Sequence, residues 1–154
     1  MKPIRRVVTG HAPDGRSTFL FDSTIEPKPT PTGVAIAELW ATAEAPASNA
    51  ASEDAARQGH SLLPDPSGTL LRIFDVEPQD PNTDLGFHTT HSVDYIYVIR
   101  GEIHALVDDG ERLLREGDVL VQRGTHHAWS NRSGKPCRLL AVMIDAEAVA
   151  GANR

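Results

Sequence analysis

The chain has 154 residues, a formal net charge of −6 and one cysteine. That length suits one domain with a real core, and the acidic balance without a basic stripe excludes a nucleic-acid binder. No apolar run approaches a membrane span or the core of a signal peptide, and Cys137 lacks a disulfide partner, so a cytoplasmic protein is expected, with Cys137 a buried thiol.

Short β-favouring runs follow one another along the chain: Arg5–Thr9, Thr18–Phe21, Val34–Trp40, Leu70–Val76, Val93–Ile99, Glu102–Val107, Glu111–Leu114, Val119–Gln122, His127–Ser130 and Arg138–Ile144. Turn signals separate them, among them Pro13-Asp14-Gly15, Arg100-Gly101, Glu116-Gly117 and Ser133-Gly134. Asp109-Gly110 between two such runs predicts a hairpin. Many short strands at regular spacing predict an antiparallel sandwich or barrel. The exception is 41–69, rich in alanine, serine and proline without a period, which reads as a mobile surface loop or a lid. Within it, Ser52–Gln58 is predicted as one or two helical turns capped by Ser52. The end, 146–154, reads as a helical turn or a frayed tail.

The run Gly86–Gly101 opens with His88, His91 and Asp94, the residue types that ligate divalent transition metals. Strand alternation puts Asp94, Ile96 and Val98 on one face and Tyr95, Tyr97 and Ile99 on the other. Both faces are largely apolar, which predicts cover on both sides. Asp94 among apolar neighbours then needs a metal or an arginine. His88 shares its parity; His91 has the opposite parity and reaches the same cavity only through a bulge. Arg72, inside Leu71-Arg72-Ile73-Phe74, needs a substrate carboxylate or enolate, or a partner such as Asp75 or Asp94. Trp129 shares the face of His127 and is a core residue or a pocket wall.

Gly86-x-His88-x-x-His91-x-x-Asp94-x6-Gly101 resembles the first motif of the cupin superfamily, with aspartate at the usual glutamate. Gly117–Asn131 (GDVLVQRGTHHAWSN) resembles the second motif and is close to a subgroup of small single-domain bacterial and fungal cupins, the cupin 2 type. Arg5–His11 and Glu38-Leu39-Trp40 extend the likeness over nearly the whole chain, firmly from Leu70 to Asp145. The resemblance implies an all-β double-stranded β-helix, the jelly-roll barrel. One domain, 1–154, would comprise N-terminal strands (1–40) extending a sheet, the loop or lid (41–69) and the barrel (70–145), paired as a homodimer.

The resemblance also implies a divalent transition metal (zinc, manganese, nickel or iron) held by His88, Asp94 and His127. The usual second histidine falls at Thr90, with His91 adjacent as a substitute ligand or, failing that, a catalytic base. With a small-molecule substrate contacted by Arg72 and Trp129, the expected activity is a non-redox lyase or isomerase step on an oxygenated compound. An iron-dependent dioxygenase and a non-catalytic metabolite-binding cupin are the alternatives.

Overall fold

The computed structural model describes residues 2–56, 61–80 and 82–150, and these form strands and loops with no helix. The strands are β1 (Ile4–His11), β2 (Ser17–Ile25), β3 (Lys28–Pro29), β4 (Val34–Thr42), β5 (Thr69–Val76) and β6 (Ser92–Arg100). After them come β7 (Glu102–Val107), β8 (Gly110–Arg115), β9 (Val119–Arg123), β10 (His127–Ser130) and β11 (Cys137–Asp145). Every run expected from the sequence is a strand. β3 is the addition; two residues beside prolines carry no alternation to read.

A six-stranded sheet in the order β3-β4-β5-β11-β6-β9 faces a three-stranded sheet, β10-β7-β8. Leu70, Ile96, Val98, Leu139, Ala141 and Met143 of the larger sheet meet Ile103 and Leu114 of the smaller, forming the main core. The alternation read from the sequence decides this: Ile96 and Val98 are 4% and 0% exposed, whereas Tyr95 and Tyr97 are 49% and 43% exposed. Cover on both faces of β6 is therefore not found within one chain. The N-terminal strands divide their roles. β3 and β4 extend the large sheet, whereas β1 and β2 form a separate hairpin. Ile4 and Ile25 of that hairpin pack with Ala37, Leu39 and Ile73 on the outer face of β4 and β5, and stop short of β6.

Two turns position the site. Gly101, between β6 and β7, has φ +85°, and a Cβ there would lie 3.0 Å from the Pro136 carbonyl oxygen, so a side chain would be both strained and crowded. The β7–β8 hairpin turns over Asp108 and Asp109, with Val107 paired to Gly110, one residue earlier than the Asp109-Gly110 signal suggested.

In the long loop, residues 52–56 are not helical, and the remainder of the expected helical turn, Arg57 and Gln58, lies outside the described residues, as does His60. Asp54 there is tied to the hairpin. Its carboxylate accepts from the Ala56 amide and forms a two-pronged pair with Arg6 of β1, at 2.6 and 2.5 Å. That tie holds the loop to the hairpin.

Candidate active site

The head of the first motif and the second motif meet through one backbone pair. His88 and His127 exchange both amide–carbonyl hydrogen bonds, at 3.0 and 2.9 Å, the arrangement that sets two antiparallel residues directly opposite each other. Their rings consequently lie on the same side, with centroids 4.4 Å apart. Both imidazoles are oriented by backbone. Nδ1–H of His88 donates to the Gly86 carbonyl at 2.8 Å, and that of His127 to the Thr125 carbonyl at 2.8 Å. A carbonyl only accepts, so each ring keeps its proton on Nδ1 and leaves Nε2 as the basic nitrogen. Asp84 shapes the approach to His88 by accepting from the Gly86 amide, an Asx turn.

Asp94 enters from β6 beside its register partner Gln122 of β9. The Gln122 amide nitrogen stands 3.0 Å from Asp94 Oδ2 and 3.0 Å from His127 Nε2, donating to both. Asp94 is 3% exposed, and its Oδ1, like Thr90 Oγ1, has no partner within hydrogen-bonding geometry. Burial pushes the Asp94 carboxyl above its ordinary range, outweighing the Ser92 hydroxyl and the Gln122 amide. Burial also lowers His127 to about 4, against the pull of the Thr125 carbonyl and with help from His88 and His126. His127 is therefore a neutral ligand or acceptor at physiological pH.

These groups line a cavity of about 440 Å³ together with apolar side chains such as Val34, Phe74, Ile96 and Trp129 and a few further polar ones, Arg72 and Gln79 among them. Trp129 is a wall, its ring edge-on to His127 at 6.3 Å. Arg72 also lines the cavity: it donates to Glu38 Oε1 at 3.0 Å and to the Ser61 carbonyl at 2.7 Å, and its charge acts on Asp94 as a lesser pull against burial. Asp75 is taken by Arg138. Glu38 Oε1 in turn accepts from the Ser61 amide, so the ion pair holds Ser61, and Leu62 after it, over the cavity.

His91 is not brought to this site. Its side chain is exposed, and β6 runs without a shift through Ser92, Val93 and Asp94 against both β11 and β9. The bulge that its parity required is absent, because both flanking ladders are continuous there. Thr90, not His91, lines the cavity. Gln122 is the site residue that the sequence reading passed over. Its signal was a lone polar side chain at the inward position after Leu120, in a strand whose Val119 and Val121 face out.

Among the described residues, no three His, Cys, Asp or Glu side chains stand together in metal-holding geometry. The donor chemistry nevertheless suits a divalent ion: two imidazoles whose Nδ1 is held by a backbone carbonyl so that Nε2 faces the site, and a buried carboxylate with an oxygen that completes no hydrogen bond. What separates Asp94 from His127 is the Gln122 amide.

A family model described as "Cupin domain" matches residues 72–143. Over 155 residues the chain is 34% identical to Oryzines biosynthesis cluster protein J of Aspergillus oryzae, covering 95% of this chain and 85% of that protein. The chain belongs to the cupin family. This cupin is also 31% identical to the cupin-domain-containing oxidoreductase virC of Hypocrea virens, across 94% of its own length and 77% of the relative's. Identity is 44% over 86 residues with Phomopsin biosynthesis cluster protein C' of Diaporthe leptostromiformis, 54% of this chain and 44% of that one, so the chain spans less than half of that relative. A solved structure, a putative ethanolamine utilization protein Q from Salmonella typhimurium, shares the fold with a TM-score of 0.52 and 13% identity, over 96% of this cupin and all of that chain.

Proposed function

We propose that this cupin is a metal-dependent oxidoreductase acting on a small, largely apolar molecule with an oxygen-bearing head. The observation that carries the reading is the set of two imidazoles and one carboxylate in a cavity whose lining is mostly apolar. Two histidines and one carboxylate form the donor set typical of non-haem iron(II) oxygenases, and relatives at 31% identity bear the name oxidoreductase. His88, Asp94 and His127 would hold the ion. A bound divalent ion would polarise a substrate oxygen and, as iron, add redox chemistry.

The chain's own residues supply the rest. Phe74, Ile96 and Trp129 orient an apolar body and exclude water. Arg72 acts on the substrate at one remove, by fixing Ser61 and Leu62 over it. The expectation of a non-redox step rested on the displaced second histidine and on aspartate at the usual glutamate; both departures stand, and it is the oxidoreductase names of the relatives that favour the redox reading. A non-redox proton transfer still has one observation in its favour: Asp94, with its raised pKa, and neutral His127 share the same cavity.

Metal analysis of protein purified without chelator is the first test. About one equivalent of iron, with oxygen uptake on apolar carbonyl or carboxyl compounds, is the expected result. Stoichiometric zinc without oxygen uptake moves the assignment to the lyase or isomerase class. Failure to bind any divalent metal after remetallation, in folded protein, overturns the metalloenzyme reading and leaves metabolite binding. His127→Ala is expected to lose the metal and keep the barrel. Full metal content in that variant refutes the ligand assignment.

A further inference from the structure

Gln122 is an anomaly of position. On β9, Val119 and Val121 face out at 64% and 52% exposure, while Gln122 points inward at 5%. The preceding inward residue, Leu120, packs against the core. A buried amide at such a position is costly unless its polar atoms are engaged. Here the terminal nitrogen is engaged with site residues, 3.0 Å from both Asp94 Oδ2 and His127 Nε2. The carboxylate keeps capacity for a cation: Asp94 Oδ1 completes no hydrogen bond in good geometry, the nearby Ser92 hydroxyl included.

We propose that Gln122 is a fourth metal donor through its side-chain oxygen, so that this cupin binds its ion with His88, Asp94, Gln122 and His127. A carboxamide is planar and nearly symmetric in shape. Half a turn about its last bond exchanges nitrogen for oxygen without new volume. In the orientation present here the amide donates to Asp94 and His127 and satisfies both. In the other, the amide oxygen would stand about 3.0 Å from both the Asp94 carboxylate and the His127 lone pair, a repulsive arrangement that a cation between them would relieve. The 3.0 Å separations serve either state, being a hydrogen-bond length and also the spacing of neighbouring donors each about 2.1 Å from a common ion. Gln122 thereby does in this chain what Thr90 cannot, supplying a ligand from β9 where a histidine is missing from the first motif.

The inference rests on the metal-binding reading above, and the test separates the two. Cobalt(II) and zinc(II) affinities are measured by competition titration on wild type, Gln122→Leu and Gln122→Glu, with circular dichroism confirming the fold and the visible bands of the cobalt form reporting its ligands. Gln122→Leu, similar in size, is expected to weaken both metals at least tenfold and to alter the cobalt spectrum. Gln122→Glu, adding a negative charge at the same atom, is expected to tighten them at least tenfold. Smaller weakening, or tightening, in Gln122→Leu overturns the proposal, since an amide that merely fills the site would compete with metal. If Gln122→Leu does not fold, Gln122→Glu decides alone, and unchanged or weaker binding overturns it. Wild-type protein that binds neither metal refutes the metal reading itself.

Discussion

His127 is 4% exposed between the Gln122 amide and the Trp129 ring, and burial is what lowers its pKa to about 4. The unfolded chain takes up a proton near pH 6.5 that the folded chain refuses until about pH 4. Stability conferred by the neutral ring is thus present above 6.5 and is lost as pH falls through that window, by about 3 kcal/mol. Asp94 acts in the opposite sense, because a raised carboxyl pKa favours the folded state as the acid takes its proton. Its contribution offsets part of the loss at the acidic end. Urea unfolding of chelator-treated protein at pH 7 and pH 5 is expected to show the decline, and His127→Gln to flatten it; an unchanged slope in that variant sinks the explanation. His88, Asp94 and His127 were legible because parity and glycine-marked motifs depend only on local spacing. Gln122 was not, because its meaning comes from its register partner on β6, which no local pattern reveals. His91 misled for the converse reason: a ligand-type residue lay in the right segment on the wrong face.

Strand β4 carries the same lesson one level up. Its pairing with β5 sets Glu38 directly opposite Arg72, then shifts register before Trp40. Both side chains are buried, at 3% and 2% exposure, and joined at 3.0 Å. Removing one member of such a pair leaves a buried charge short of its counter-ion, which costs more than the pair gains. Glu38→Leu is therefore expected to destabilise the fold by about 3 kcal/mol in urea unfolding and to free Ser61 and Leu62 from the cavity. The double variant Glu38→Leu with Arg72→Met is expected to recover most of that stability; equal loss in single and double variants would show that the charge pair is not the cause. Strand existence was legible from alternation and turn residues almost throughout. The partner of Arg72 was not, since it lies 34 residues away across a strand pair whose register the sequence does not display.

At the scale of the whole molecule, the outer face of the large sheet is covered unequally. The β1–β2 hairpin seals β4 and β5 through Ile4 and Ile25, and its own Phe19 and Val7 remain 72% and 45% exposed. Beyond it, Tyr95 and Tyr97 of β6 adjoin Val121 and Val119 of β9 in register, all between 43% and 64% exposed. A contiguous apolar patch of this kind on one chain marks an interaction surface. A second copy of the chain suits it, because in a two-fold pair each hairpin's apolar outer side can lie against the partner's open sheet, burying both patches twice. That is the form in which we propose the homodimer. Sedimentation velocity at tens of micromolar is expected to show a two-chain species. Tyr97→Lys combined with Val119→Lys, and separately Phe19→Ser, are expected to yield monomers with the strand signature intact, since none of these side chains supports the core. The two readouts carry different weight. A wild-type monomer removes the dimer altogether, whereas a dimer that survives the sheet substitutions but not Phe19→Ser moves the interface to the hairpin alone and leaves the patch on β6 and β9 for another partner.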